Sequence, residues 1–114
     1  MVGRSYVPDA GDVVWLTFDP QAGHEHGGRR PALILSPREY NTKARLALAC
    51  PITSQRKGYP FEVAIPAGQN IAGVVLADQV KCLDWHARKA AFEWKAPATV
   101  VAQVRERLRP LLGL

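Results

Sequence analysis

Cysteine is scarce in this sequence: Cys50 and Cys82 are the only two, and no Cys-x-x-Cys pair or dense framework joins them. That argues against a disulfide scaffold and a thiolate zinc site. Each lies in an apolar, strand-like run, the setting of a small buried free thiol. No apolar stretch at the N-terminus reads as a signal peptide, and no run approaches the ~20 residues needed to span a bilayer. The expectation is a cytoplasmic chain with no membrane association. Also missing are a Gly-x-Ser-x-Gly elbow, a Walker loop and a His-Glu-x-x-His helix, which removes the commonest motif-bearing enzymes. With no internal repeat, low-complexity tract or linker, residues 1–114 read as one domain. A domain of this size buries about two-thirds of its unfolded surface.

Charge is present but unevenly placed. Residues 1–28 set Arg4 against Asp9, Asp12, Asp19 and Glu25, for a sum of −3. Residues 29–57 set Arg29, Arg30, Arg38, Lys43, Arg45, Arg56 and Lys57 against Glu39 alone, for +6. The remainder carries seven basic and five acidic residues, for +2, and the whole chain is +5. A basic middle segment suits a polyanion, either nucleic acid or an acidic peptide, although a solvated basic surface gives the same pattern.

The first two-thirds of the chain predicts short strands punctuated by turn residues. They are expected at 12–18, 31–35, 46–50, 61–65, 74–77 and 80–83, with a helical turn at 38–43. Such strands suggest a small closed or strongly curved barrel. The last segment changes period. From Pro97, Val100, Val104, Leu108 and Leu111 recur at three- and four-residue steps, so an amphipathic helix is expected to pack on the barrel. Pro110 should kink or stop it near Arg109.

Candidate chemistry is sparse. His24-Glu25-His26 has the alternation of a metal site, but it lies in a glycine-rich loop and no second cluster supplies further ligands. No metal and no cofactor is therefore expected. His86, beside Arg88 and Lys89, reads as a surface residue. Arg30 precedes Pro31, which pushes its backbone toward extended geometry, so Arg29 and Arg30 must face opposite ways. Thr53, just after the third expected strand, opens the basic loop 54–58. A guanidinium and a hydroxyl at strand ends could bracket a phosphate; a salt-bridged arginine and a turn-capping threonine would look the same in sequence.

A resemblance narrows the choice. The motifs Tyr6-Val-Pro-Asp-x-Gly-Asp12, Trp15, Phe18-Asp-Pro20, Arg30-Pro31-Ala32, Leu35-Ser-Pro37 and Tyr40-Asn41 stand in order. They continue through Pro51-x-Thr53, Lys57-Gly-Tyr-Pro-Phe-Glu-Val63 and Leu76-Ala-Asp-Gln-Val-Lys81. Together they resemble the MazF/PemK-type toxin endoribonucleases over almost the whole chain; the C-terminal helix shares only its amphipathic pattern. The resemblance implies a mostly β, SH3-like small barrel (CcdB/PemK-like) with helices, including the C-terminal one. It implies a homodimer whose groove receives single-stranded RNA, and a cognate MazE-like antitoxin whose acidic tail fills that groove.

By motif position, the resemblance puts catalytic roles on Arg30, Thr53 and Glu25. It puts Asp78 and Gln79 where relatives contact RNA, and Arg29 where relatives vary. Arg56 and Lys57 are expected to grip phosphates, which positions RNA without reading it. The expected reaction is metal-independent attack of a ribose 2′-OH on the adjacent phosphorus, with Arg30 and Thr53 steadying the charge that builds there. Two rivals are a gyrase-poisoning toxin of the same fold and an RNA-binding barrel without catalysis. The gyrase poisons rely on an aromatic C-terminal end, whereas this chain closes on Leu111-Leu-Gly-Leu114.

Overall fold

The computed structural model describes residues 6–18 and 28–114. Seven strands form one sheet: β1 (Asp12–Thr17), β2 (Arg29–Ile34), β3 (Ala47–Thr53), β4 (Glu62–Ala64), β5 (Val74–Leu76), β6 (Lys81–Leu83) and β7 (Ala91–Lys95). Helix α1 (Arg38–Ala44) separates β2 from β3, and α2 (Ala98–Leu111) follows β7. The order across the sheet is β4-β5-β3-β2-β1-β7, with β6 also on β3, and every ladder is antiparallel. Among the described residues no ladder joins β4 to β7, so the sheet is barrel-like in its curvature without closing.

Bending comes from β3, which changes partner along one edge. Its first half pairs with β6, Ala47 to Leu83 through Ala49 to Lys81, and its last two residues pair with β5. The gap falls at Cys50–Pro51, where Pro51 has no N–H to give. A short 3₁₀ turn, Ala77–Gln79, carries the chain from β5 to β6 across this break.

Both faces of the central strands are covered except at Leu48, which is why 31–35 and most of 46–50 read as apolar runs. On one face Val13, Leu33, Cys50, Ile52 and Val75 pack with Val100, Val104 and Leu108 of α2. On the other, Val14, Leu16, Ala32, Ile34 and Ala49 pack with Phe18, Leu83 and Trp85.

Several expectations need correcting. Thr53 is the last residue of β3, not the first after it, because its pairing with Val74 extends the strand. Strand β7 was not anticipated; Phe92 and Glu93 give it an uneven, half-exposed pattern that does not alternate. Helix α2 ends at Leu111, one residue past Pro110 and two past the expected Arg109. Pro110 falls in the final turn, where the carbonyl it leaves unpaired belongs to the exposed residue Glu106 and can turn to water. Cys50 is buried as expected, whereas Cys82 is exposed. Its neighbour across the ladder, Leu48, is itself 41% exposed, so this end of the sheet lacks cover.

Two polar hubs tie the frame together. The Asp12 carboxylate, buried at the start of β1, accepts from the Tyr6 hydroxyl, the Asp9 N–H at 3.0 Å and Lys95 Nζ of β7 at 2.9 Å. Burial first, and then the bond to Asp12, push the Tyr6 hydroxyl far above its ordinary range.

The second hub is Asn41, fully buried at mid-α1. Its Nδ2 donates to the carbonyls of Pro8 and Ser36, both at 2.9 Å. Its Oδ1 accepts from Ser36 Oγ at 2.6 Å, and its backbone carbonyl accepts from Trp85 Nε1 at 2.9 Å. Asn41→Ala would leave the two carbonyls and the Ser36 hydroxyl short of partners in the interior. A loss of about 2–4 kcal/mol is expected, read as a lower urea midpoint at unchanged slope. A loss within about 0.5 kcal/mol, the usual scatter of surface substitutions, would show that the hub does not hold α1 in place.

Candidate active site

The site is set by the register between β2 and β3. Leu33 stands opposite Cys50 and Ala32 opposite Pro51. That ladder ends at Ala32–Pro51; two residues further on, β2 carries Arg30, paired with Leu16 of β1, and β3 carries Thr53, paired with Val74 of β5. Side chains alternate along a strand, so Arg30 and Ala32 share a face, as do Thr53 and Pro51. The arginine and the threonine therefore lie on the same side of neighbouring strands. Arg30 is half-buried and Thr53 is 6% exposed.

Arg29 goes the other way, as extended geometry demands. Its guanidinium donates to the carbonyl of Lys89 at 2.7 Å, to that of Arg88 at 3.4 Å and to Thr17 Oγ1 at 3.2 Å. It pins the 84–90 turn to the sheet. Glu25, together with His24 and His26, lies outside the described residues. Among the described residues no group of His, Cys, Asp and Glu is arranged to hold a metal ion.

Thr53 opens onto a cleft of about 260 Å³. Its walls come from three places: Gln55, Lys57 and Tyr59 of the loop after β3, Glu62 of β4 with Leu76 of β5, and Asp78 with Gln79 of the 3₁₀ turn. The pairing agrees with this. Thr53 stands against Val74, and Glu62 against Leu76, placing Thr53, Glu62 and Leu76 on the sheet face away from α2. Thr53 Oγ1 accepts from the Gln55 N–H at 3.2 Å, which spends a lone pair and keeps the hydroxyl proton available to donate.

Four sequence-predicted residues thus meet in one cleft: Thr53, Lys57, Asp78 and Gln79. Arg30 faces the same side from the next strand. Arg56 is exposed in the same loop but does not line the cleft. Gln55, Tyr59 and Glu62 were not singled out from the sequence. An aromatic residue inside a basic loop was the available signal for Tyr59.

Beneath the 3₁₀ turn, Cys50 faces the core. Burial, and second the negative charge of Asp78, push its thiol up to about 12. It stays protonated near neutral pH and is no nucleophile.

Thr53 is also held from behind. Gly73, at φ +123°, lies so close that a Cβ there would sit 2.0 Å from the Thr53 carbonyl oxygen and 2.9 Å from Ser54 Cα. These contacts are backbone, so nothing flexible can yield. Gly68, at φ +94° with open space around it, provides the contrast. Gly68→Ala should cost only the conformational term, on the order of 1 kcal/mol. Gly73→Ala should cost clearly more and displace the Thr53 backbone. Urea unfolding and the amide resonances of Thr53–Gln55 check both; if the two variants behave alike, Gly73 does not fix Thr53.

Residues 9–112 match the family described as PemK-like, MazF-like toxin of type II toxin–antitoxin system. The chain is 46% identical over 113 residues to the endoribonuclease toxin MazF of Escherichia coli K12, covering 99% of this chain and 100% of that protein. Its fold superimposes on crystalline MazF from Deinococcus radiodurans with a TM-score of 0.93 at 59% identity, covering 96% of this chain and 100% of that one. A MazE–MazF structure from the same organism matches at a TM-score of 0.86 and 54% identity, covering 96% of this chain and 99% of that one.

Proposed function

The chain belongs to the PemK-like, MazF-like toxins of type II toxin–antitoxin systems, and from that premise we propose that it is an endoribonuclease cutting single-stranded RNA without a metal. The observation that supports this reading is the β2–β3 register, which leaves Arg30 and Thr53 on one side of neighbouring strands, with Thr53 lining the cleft.

The chemistry follows from those two groups and from RNA itself. RNA brings its own nucleophile, so a metal-bound hydroxide is not required. The ribose 2′-OH attacks the adjacent phosphorus in line, the P–O5′ bond breaks, and the products are a 2′,3′-cyclic phosphate and a 5′-OH. Negative charge grows on the non-bridging oxygens as the fifth bond forms. The Arg30 guanidinium meets that charge and the Thr53 hydroxyl donates to one of the oxygens, both on strands that need no rearrangement. Glu25 is assigned the 2′-OH proton, and the departing 5′-oxygen takes a proton from water. A guanidinium, with a pKa above about 12, is a poor proton donor, so Arg30 acts by charge.

Around this centre Lys57 and Arg56 hold phosphates, while Asp78 and Gln79 meet base edges. The Oε1 atom of Gln79 is buried with no hydrogen-bond partner among the described residues, so turning its amide toward a base edge relieves an unfavourable contact. The protein works as a homodimer in the cytoplasm. No helix among the described residues is long and apolar enough to cross a membrane. A MazE-like antitoxin neutralises it, a partner that the MazE–MazF structure supports; the +6 middle segment favours an acidic tail lying over the basic groove.

The test uses an unstructured RNA with chelator present. Cleavage should persist in EDTA and fall at least about 10²-fold in Arg30→Ala, the usual effect of losing a preorganised donor. A substrate with 2′-deoxyribose at the scissile nucleotide should bind and stay whole. Cutting of that substrate at the normal rate would eliminate in-line transesterification, and full activity in Arg30→Ala would eliminate the site.

A further inference from the structure

The loop after β3 holds an aromatic ring out in solvent. Tyr59 is 61% exposed, yet it lines the cleft with Lys57 on its own loop and with Asp78 and Gln79. The Lys57 ammonium stands 5.9 Å from the ring centroid. A cation at that distance is attracted to the ring and helps to fix it.

The loop beneath the ring is clasped shut. The two carboxylate oxygens of Glu62 accept from the Lys57 N–H at 3.3 and 3.1 Å, and one of them also accepts from the Gly58 N–H at 3.0 Å. The Glu62 N–H in turn donates to the Tyr59 carbonyl at 3.1 Å. Charge-assisted bonds from two successive N–H groups to one carboxylate are strong for a surface loop. The result is a flat apolar face, oriented in advance, at the edge of a polar cleft. The cleft, at about 260 Å³, is slightly smaller than the range of about 300–1,000 Å³ typical of sites for whole small ligands. It suits a single splayed base.

We propose that Tyr59 is the platform on which one unpaired nucleobase of the RNA stacks, and that Glu62 is the positioning residue that presents it. This rests on the RNA-cleaving reading and adds to it a subsite. Stacking accepts any base because every base has a π-face. Tyr59 therefore supplies affinity and registration at one nucleotide, while the amide and carboxylate of Gln79 and Asp78 read the edge.

The experiment uses the full chain and a fluorescein-labelled RNA containing a mapped cleavage site, made uncleavable by 2′-deoxyribose at the scissile nucleotide. Binding is followed by anisotropy while a single abasic nucleotide is moved along the strand. One abasic position should weaken wild-type binding by roughly 5- to 150-fold, the range of base–aromatic stacking. Tyr59→Ala should lose a similar amount and become indifferent to that position alone; Tyr59→Phe should restore both affinity and sensitivity. Glu62→Ala should blunt the response at the same position, and Glu62→Gln, which keeps a carbonyl acceptor for the N–H groups, should recover part of it.

Thermal denaturation of each variant separates a loose platform from a lost fold. Tyr59→Ala binding as tightly as wild type, or losses that add in full at every abasic position, would overturn the proposal while leaving RNA cleavage standing. Wild-type protein that neither binds nor cuts RNA would remove both.

Discussion

In an antiparallel pair, sliding one strand by a single residue carries all of its side chains to the opposite face. A slip of β3 against β2 would send Cys50 and Ile52 out of the core under α2 and bring Pro51 and Thr53 into it. Burial on both faces of these strands forbids it: small Ala32 and Ala49 fit the layer beneath Trp85, and Leu33 and Ile52 fit the layer beneath α2. That Arg30 and Thr53 share one side of neighbouring strands is thus a by-product of core packing. The apolar residues enforce it, and the two polar ones ride on the strand ends.

This arrangement divides labour between strands and loops. Groups assigned to the scissile phosphate stand on strands whose interior residues are almost wholly buried, and Gly73 presses on the Thr53 backbone from behind. Groups assigned to phosphate grip and base contact stand on the loop after β3 and on the 3₁₀ turn, where Lys57, Tyr59 and Asp78 are exposed. Rigid presentation of the reacting phosphate and adaptable reading of its neighbours are different demands. Here they fall on different elements. The break in the β3 ladder at Pro51 links the two sets, since it is there that the 3₁₀ turn crosses toward the cleft.

Much of this was legible in the sequence. Apolar runs located the central strands, the three- and four-residue steps located α2, and Pro31 dictated that Arg29 and Arg30 part company. What escaped has physical reasons. Strand β7 lies at the sheet's end, where Phe92 stays 52% exposed, so no alternation marks it. Cys82 sits in an apolar run but at an uncovered edge, and local composition cannot tell an edge from a centre. The end of α2 was expected two residues early because the cost of Pro110 depends on whether the carbonyl it strands can reach water. Tyr59 and Glu62 were overlooked because their significance lies in a clasp between a loop and the next strand, a feature of shape that residue types alone do not announce.

The Glu62 clasp closes the loop upon itself before the chain re-enters the sheet at β4. Residues 54–60 therefore form a nearly self-contained appendage, fastened at its base and borrowing little from the packing below. Insertions, deletions or new side chains in it need not disturb the strand pairing that holds Arg30 and Thr53. On the assignment proposed above, a lineage built on this scaffold can change which sequences it attacks while keeping Arg30 and Thr53 in place, so that recognition drifts faster than catalysis.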